Sequence, residues 1–428
     1  MLPVTIEQIY HIYLQHFSIQ TDTRKLQPND IFFALKGGNF NGNEFAAKAL
    51  EMGAAFAVVD EAAYYTQPDK MALVDNALET LQALALWHRK QLNIPFLAIT
   101  GTNGKTTTKE LVNAALSAGF KTYATVGNLN NHIGVPLTIL AIKPDVEIAV
   151  IEMGANHQKE IAGYCKIALP THGIITNIGK AHLEGFGGEE GVRIAKGELY
   201  DYLRDNNGTV FVCNDYPYLL EMSKGIPHMV TYGSKEADYT GTPAADKALL
   251  GVQVNNNNIG FIQTKLTGAY NFPNVMAAVA VASHFKVPAE KIGPAIAAYT
   301  PSNNRSQVMQ QGTNTIIMDA YNANPSSMKA AIDNFLGIEA PKKVLMLGAM
   351  MELGTDSIKE HEALVEQLQR HHWEAVVLVG GDFKKVNHPY IYLDNSAEAA
   401  KWLQQQQFQD THILIKGSRS TGMEKVLA

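Results

Sequence analysis

The stretch from Pro95 to Phe120, PFLAITGTNGKTTTKELVNAALSAGF, restricts the possible folds of this chain more than any other. It opens with an apolar run, Phe96 to Ile99, bounded by Pro95 and Gly101, which is how a buried parallel strand reads. A tight loop follows, Gly101-Thr102-Asn103-Gly104, and then Lys105-Thr106-Thr107-Thr108. Leu111, Val112, Ala115 and Leu116 recur at helical spacing, and Gly119 suits a left-handed helix stop. Strand, glycine loop and helix N-terminus in that order make a polyphosphate site, because loop N–H groups and the helix dipole both face the anion. Lys105 adds a point charge and the Thr106 hydroxyl can ligate Mg²⁺. The commoner pattern has a further glycine where Ile99 stands inside the strand, so this loop is a shortened variant. The bland alternative is an ordinary turn. Strand before and helix after favour ATP or GTP, with Gly101 to Thr107 as nucleotide contacts.

A chain of 428 residues exceeds one core and predicts about two to four domains. A formal net charge of −6 gives no electrostatic reason to expect nucleic acid or an anionic membrane. The two cysteines, Cys165 and Cys213, lie far apart without metal-ligand spacing, which predicts a reduced setting and no disulfide framework. The start, MLPVTIEQIY, has neither a basic region nor an apolar one, so no signal peptide is expected. No apolar run reaches transmembrane length. A cytoplasmic protein is expected.

Residues 1–93 read as a small α/β unit. Asp30–Leu35 and Ala55–Val59 are strands, Gly37–Asn43 is a loop, and Ala46–Met52 is a helix closed by Gly53. A second helix presents Leu78, Leu81, Leu84, Ala85 and Trp87 before a basic end, His88-Arg89-Lys90. The polar segment Lys90–Asn93 marks a boundary. Strands and helices then alternate over 94–300, which predicts a mostly parallel sheet. Strand candidates are Ile148–Glu152, Gly173–Thr176 and Thr209–Val212. Val252–Val254 and Ile259–Leu266 form a hairpin across Asn255–Asn258. From Pro301 a third, Rossmann-like unit (301–428) carries strands Thr315–Met318, Lys343–Leu347, Ala375–Val379 and His412–Ile415. The glutamine run Gln404–Gln407 reads as solvated helix surface.

Ligands in such sheets sit beyond the carboxyl ends of the strands. Glu152, Asn177 and His182 fall there, and a carboxylate with an imidazole could hold Mg²⁺. Equally, Glu152 could cap a helix and His182 be a loop histidine. Lys196, with Glu198 two residues on, reads unaided as a solvated helical lysine. Asn271 and Asn274 can pair with an adenine edge or only cap a helix. Arg305, Asp319, Tyr321, Asn322 and Asn324 cluster at the start of the third unit. There a carboxylate suits ribose hydroxyls and a guanidinium suits phosphate.

Taken together these motifs resemble the Mur ligases of peptidoglycan synthesis. The residues that carry the resemblance are TGTNGKTTTKE (100–110), EMGANHQKEIA (152–162), TNIGKAHLEGFG (176–187), IAKGELY (194–200), GAYNFPNVMAA (268–278), DAYNANPSSM (319–328) and KGSRSTGMEK (416–425). TDTRKLQPNDIFFALKGGNFNGNEF (21–45) is similar to the family's UDP-binding segment. EMGAN, YNANP and KGSR look like the branch that adds D-alanyl-D-alanine, and the Asp-Asn-Pro-Arg motif of the diaminopimelate-adding branch is missing. Asn41, Asn43 and Ala349 depart from the common Asp, His and Asp.

The resemblance implies three domains: UDP-binding, central ATP-binding and Rossmann-like. It implies ATP, two Mg²⁺ sites, and as substrates UDP-N-acetylmuramoyl-tripeptide and D-alanyl-D-alanine. Lys105 and Thr106 would hold phosphates and one magnesium, with Glu152 and His182 as further ligands. Lys196 would be a carbamylated lysine, and Lys105, Lys196 and His182 the catalytic set. Asn271 and Asn274 would face adenine, and Arg305 and Asp319 would close on ATP. Thr23 and Arg24 would lie near UDP, and Asn130, Asn131, Tyr321, Asn322 and Asn324 on the substrate side. A monomer that hinges near residues 93 and 301 is expected. The rivals are another ligase of the superfamily and, from a different class, an NTPase switch that turns over ATP without added substrate.

Overall fold

The computed structural model describes residues 4–244, 249–255, 258–302 and 304–427. It is an α/β protein with several mostly parallel sheets. The described chain divides into two compact units, one of residues 1–98, 120–155 and 159–173, the other of 99–119, 156–158 and 174–428.

In the first unit, strands Ile19–Gln20, Ile31–Phe33, Phe56–Val59 and Met71–Leu73 lie side by side in that order, all parallel. Their inner residues Phe32, Ala57, Val59 and Met71 close over Ala46 and Ala49 of helix Ala46–Glu51. Gly53, at φ 102°, ends that helix as the sequence suggests. The expected loop 37–43 is instead a short ribbon, Lys36–Gly37 against Phe40–Asn41, followed by a turn of 3₁₀ helix. Helix Ile6–His16 is absent from the sequence reading, although Thr5 and Gln8 spell its capping box and the side chains make both bonds. In the same unit strand Thr122–Ala124 runs parallel to Ile148–Glu152.

Helix Ala77–Gln91 corrects the sequence reading at its basic end, where the expected boundary segment is still helical as far as Gln91. Trp87 is 37% exposed, whereas His88 and Arg89 are 2% and 7% exposed. Their partners explain the reversal. His88 meets the Tyr10 hydroxyl at 3.1 Å and the Ile142 carbonyl at 3.0 Å. Arg89 stacks on Phe96 and donates to the carbonyls of Ala168 and Leu169 at 2.7 and 3.0 Å. Those carbonyls end helix Glu160–Ala168, where a cation satisfies orphan acceptors and the dipole together.

In the second unit, Thr209–Cys213, His228–Gly233 and Tyr239–Ala244 are parallel neighbours. The last pairs antiparallel with Leu249–Val254, which pairs antiparallel with Phe261–Thr267. That is the expected hairpin, whose tip at 256–257 lies outside the described residues. The C-terminal sheet runs Gln307–Gln311, Asn314–Asp319, Thr411–Lys416, Lys342–Gly348, Ala375–Val379, Ile391–Leu393, parallel except for its first strand. Ile316, Met318, Val344, Met346, Val377, Ile413 and Ile415 make its core. This continuous apolar patterning is what sheets covered on both faces require. The glutamine run is exposed, as expected.

Candidate active site around the phosphate loop

Strand Phe96–Thr100 is buried throughout and leads to Gly104, which caps helix Lys105–Ser117 at φ 78°. Gly101 has φ 136°, and a Cβ there would lie 2.1 Å from the Thr176 hydroxyl. A Cβ on Gly104 would lie 2.7 Å from the Asn274 side-chain oxygen. Both glycines are therefore required by space as well as by conformation. The helix ends with Ala118 as its C-cap and Gly119 just beyond, where the stop is expected, but Gly119 is not left-handed: its N–H closes the last turn onto Leu116 at 2.9 Å.

The amide accounting departs from the sequence reading in one respect. The N–H of Thr102 goes to the Asn177 carbonyl at 2.9 Å, and that of Asn103 to the Asn177 side-chain oxygen at 3.0 Å. These two loop amides are committed to the neighbouring strand end. The N-terminus of helix Lys105–Ser117 follows directly, and a helix N-terminus with its dipole is where an anion is favoured. Asn103 O in turn accepts from the Thr176 hydroxyl at 2.6 Å and the Asn177 amide at 3.2 Å. Lys105 Nζ reaches back to the Gly101 and Thr102 carbonyls at 2.8 and 3.0 Å, which holds its charge over the loop. Thr106 and Thr107 are 6% and 8% exposed.

Asn271 and Asn274 are buried. Asn271 holds the N-cap position without making a side-chain cap; it donates to the Thr267 carbonyl at 2.7 Å. Asn274 donates to Asn271 at 2.8 Å and accepts from the Thr108 hydroxyl at 3.0 Å. This chain fastens the loop helix to helix Phe272–His284 and sets the Asn274 oxygen directly against Gly104. The capping alternative is thereby corrected.

Lys196, on helix Glu189–Asp205, is only 2% exposed, with its ammonium 5.0 Å from the Phe186 ring centre. The solvated reading fails. A lysine enclosed this far is a candidate for chemistry that changes its charge. His182 adopts φ 50° and pairs through Nδ1 with Glu352, itself at φ 62°. This pairing holds the Glu352 carboxyl below its usual range. Glu152 caps no helix. It is 1% exposed at the end of its strand and accepts from the Asn130 amide at 2.8 Å. Asn131 folds onto the N–H groups of Ile133 and Gly134 at 3.1 and 2.8 Å.

Beyond strand Asn314–Asp319, Asp319 accepts from the Ser306 N–H at 3.1 Å and from Lys416 Nζ at 2.6 Å. The Arg305 guanidinium carbon sits over the Tyr321 ring, 3.5 Å from its centre, and Arg419 donates to the Tyr321 hydroxyl at 3.3 Å. Asn322 offers its carbonyl to Lys416 while its side chain is exposed. Asn324 caps helix Pro325–Gly337 and also donates to the Asn103 side chain at 2.8 Å. Tyr270, pushed up to about 12 by burial, lies with its hydroxyl 3.3 Å from the Ser306 hydroxyl.

Three family models cover these segments: the Mur ligase family catalytic domain over residues 16–118, the Mur ligase middle domain over 99–282, and the Mur ligase glutamate ligase domain over 304–419. UDP-N-acetylmuramoyl-tripeptide–D-alanyl-D-alanine ligase of Bacillus subtilis is 36% identical over 347 residues, 78% of this chain and 74% of that protein. The chain belongs to the Mur ligase family. A crystal structure of MurF from Acinetobacter baumannii superposes with TM-score 0.85 at 32% identity, over 96% of this chain and 92% of that one. MurF ligase from Thermotoga maritima, in complex with ADP, gives TM-score 0.85 at 27% identity and 97% coverage of both chains.

Within this Mur ligase the second unit gathers Gly101 to Thr107, Asn271, Asn274 and Asn324 about one loop. The first unit holds Glu152 with Asn130, and it places Thr23 and Arg24 on a short 3₁₀ turn. There Arg24, its side chain 87% exposed, forms a forked pair with Asp22 at 2.7 and 2.9 Å. That pairing holds the Asp22 carboxyl down at about 2. Lys416, Glu352 and Ser326 join the site without having been singled out in the sequence. Lys416 and Ser326 lie inside the motifs KGSR and NANPSSM, but nothing in their spacing reveals that they face Asp319 and Asn103. The departures Asn41 and Asn43 serve packing here: Asn43 joins Asn41 to Asp60, which receives the first N–H of helix Ala77–Gln91. Ala349 is fully buried, and a Cβ on Gly381 would lie 2.5 Å from its own Cβ.

Proposed function

We propose that this Mur ligase uses ATP to join the terminal carboxylate of UDP-N-acetylmuramoyl-tripeptide to the amine of D-alanyl-D-alanine, yielding the pentapeptide, ADP and phosphate. The observation that carries the reading is the phosphate loop, with Gly101 and Gly104 at positive φ close against Thr176 and Asn274 and Lys105 folded over it.

A carboxylate is a poor acyl electrophile. Its oxygen therefore attacks the γ-phosphorus, ADP leaves, and an acyl phosphate forms. Lys105, released from the Gly101 and Thr102 carbonyls, neutralises charge on the transferred group, while the helix N-terminus holds the phosphates it leaves behind. The dipeptide amine, once deprotonated, adds to the acyl carbon, and the tetrahedral intermediate expels phosphate to leave the amide. Asp319 and Arg305 suit ribose hydroxyls and phosphate oxygens, and Thr23 and Arg24 suit the UDP end.

Among the described residues no group of three or more His, Cys, Asp and Glu side chains could hold a metal ion unaided. That fits Mg²⁺, which keeps waters and substrate phosphate oxygens and needs few protein ligands. Thr106, Glu152 and His182, and for a second ion a carbamylated Lys196, are the residues that would hold magnesium, and the ions would supply charge neutralisation at the phosphates. Carbamylation requires the Lys196 ammonium to give up one proton, and the resulting amine loses a second as it adds to CO₂, so that an enclosed cation becomes an anion. Lys196→Ala rescued by a small carboxylic acid supports that role, and full activity without rescue refutes it.

The assignment extends to a monomer in the cytoplasm with domains 1–93, 94–300 and 301–428. No described helix is long and apolar enough to cross a membrane. The test is phosphate release from ATP. Release that needs both the UDP-tripeptide and D-alanyl-D-alanine, with a pentapeptide product by mass, is expected, and Lys105→Ala should lower it by about a hundredfold or more. Release that needs neither substrate would return the chain to the NTPase class.

A further inference from the structure

Three side chains form a closed ring of hydrogen bonds between the phosphate loop and the first helix of the C-terminal sheet. Asn103 donates to the Ser326 hydroxyl at 2.9 Å, Ser326 donates to the Asn324 side-chain oxygen at 2.9 Å, and Asn324 donates to the Asn103 side-chain oxygen at 2.8 Å. Donors and acceptors run in one direction around the ring, so each bond polarises the next. The main chain of Asn103 is already held on both sides by Thr176 and Asn177. Gly179 makes room for the ring, since a Cβ there would lie 2.9 Å from the Ser326 oxygen. Asn324 also acts on its own helix. Its side-chain oxygen accepts from the Ser327 N–H at 2.9 Å and so starts helix Pro325–Gly337.

We propose that Asn324 and Ser326 are positioning residues that set the phosphate loop through Asn103, so that nucleotide affinity depends on how this helix is seated. The proposal rests on the reading of the loop as an ATP site. A loop that binds phosphate through main-chain donors works only when their directions are fixed beforehand, and small displacements weaken the site disproportionately. Coupling between two sites is reciprocal, so nucleotide on the loop must also steady the start of the helix.

Asn324→Asp separates the capping bond from the ring. An aspartate still accepts from Ser327 and caps the helix equally well. It cannot donate to Asn103, and it faces that oxygen with a carboxylate oxygen instead. The expected result, by titration with a fluorescent ATP analogue and Mg²⁺, is nucleotide affinity weaker by about five- to tenfold, with the thermal unfolding midpoint unchanged. Ser326→Ala should weaken affinity in the same direction, and Asn103→Ala combined with Ser326→Ala should lose less than the two single losses multiplied. By hydrogen exchange, ADP should protect the Met328 amide, which bonds Asn324 O at 2.9 Å, in the parent protein and not in Asn324→Asp. Should Asn324→Asp fail to fold, Ser326→Ala carries the test alone. Parent-like affinity in every folded variant would overturn the proposal. A parent protein that binds no nucleotide would overturn the ATP reading, and this proposal with it.

Discussion

Two ion pairs in this molecule have the same chemistry and opposite surroundings. Lys416 and Asp319 meet at 2.6 Å with side chains 3% and 17% exposed, whereas Arg24 and Asp22 meet at 2.7 Å with 87% and 27%. The first pair, a buried lysine and a half-buried aspartate, lies at the ends of adjacent parallel strands, where Asp319 faces Lys416 in register. Its lysine also reaches the Asp319 and Asn322 carbonyls at 3.4 and 3.3 Å. The second sits on a turn in water. A buried charge that loses its partner cannot be rescued by solvent, while an exposed one can. The contrast teaches that shared chemistry does not imply a shared role. One pair ties together the ends of two strands, and the other holds a guanidinium out in water.

The largest expected effect lies on the buried side. Lys416→Ala leaves the Asp319 carboxylate with the Ser306 N–H but without its cation, and should destabilise the fold by about 3–5 kcal/mol. Chemical denaturation followed by circular dichroism measures this. Replacing both residues, Asp319→Leu with Lys416→Met, should restore much of the stability while ATP turnover stays low. If Lys416→Ala were no less stable than the parent, the distinction between the two pairs would collapse.

The same contrast explains which parts of the molecule are legible in the sequence. The phosphate loop can be read because strand, glycines, lysine and helix are contiguous, and local order alone specifies them. The C-terminal strands can be read because each is a short, unbroken apolar run. Lys416, Glu352 and Ser326 cannot be read as site residues, since their partners Asp319, His182 and Asn103 are distant in sequence and only the folded sheet brings them together. Lys196 shows the limit of local reasoning. Its neighbours Arg193 and Glu198 describe a polar helix, but burial is a tertiary property and overrides them. Arg89 and His88 defeat local reasoning in the same way, because a basic helix end is usually solvated and here it finishes the carbonyls of another helix. Helix Ile6–His16 is a different case, since its capping box is a local signal that the sequence does carry.

A smaller effect sharpens the comparison by making the buried charge conditional. His361 is fully buried; it donates from Nδ1 to the Ser357 carbonyl at 2.7 Å and accepts the Met350 N–H at Nε2, 3.1 Å away. Burial pushes its pKa below the ordinary 6.5, and does the same to His88, His284 and His412. A histidine whose folded pKa is lowered takes up its proton more readily when unfolded. Its contribution is complete above pH 6.5 and is lost as the pH falls below that value towards the folded pKa. Stability should therefore fall on acidification from neutral pH. His361→Gln, which keeps a donor and an acceptor, should flatten part of that fall when the unfolding free energy is measured at several pH values. An unchanged pH slope in His361→Gln would show that the other three histidines account for it.

The smallest structural effect belongs to the exposed pair, and there stability and function should separate. Arg24→Ala removes a guanidinium that water already solvates, so the unfolding midpoint should stay within error of the parent. The Asp22 carboxyl, held at about 2 by its hydrogen bonds to Arg24, should return towards the ordinary 3.8 in this variant. What that pairing contributes is present above 3.8 and is lost as the pH falls towards about 2, far below any working pH. Substrate binding is where Arg24→Ala should show itself. If the guanidinium meets the UDP phosphates, KM for the UDP-tripeptide should rise by about tenfold with little change in kcat, because a contact made equally in ground and transition states alters binding alone. Arg24→Lys should recover only part of this loss, since an ammonium cannot reproduce the fork that now grips Asp22. Unchanged KM in Arg24→Ala, with an equally unchanged midpoint, would reduce the exposed pair to surface decoration and leave only the buried pair with a function.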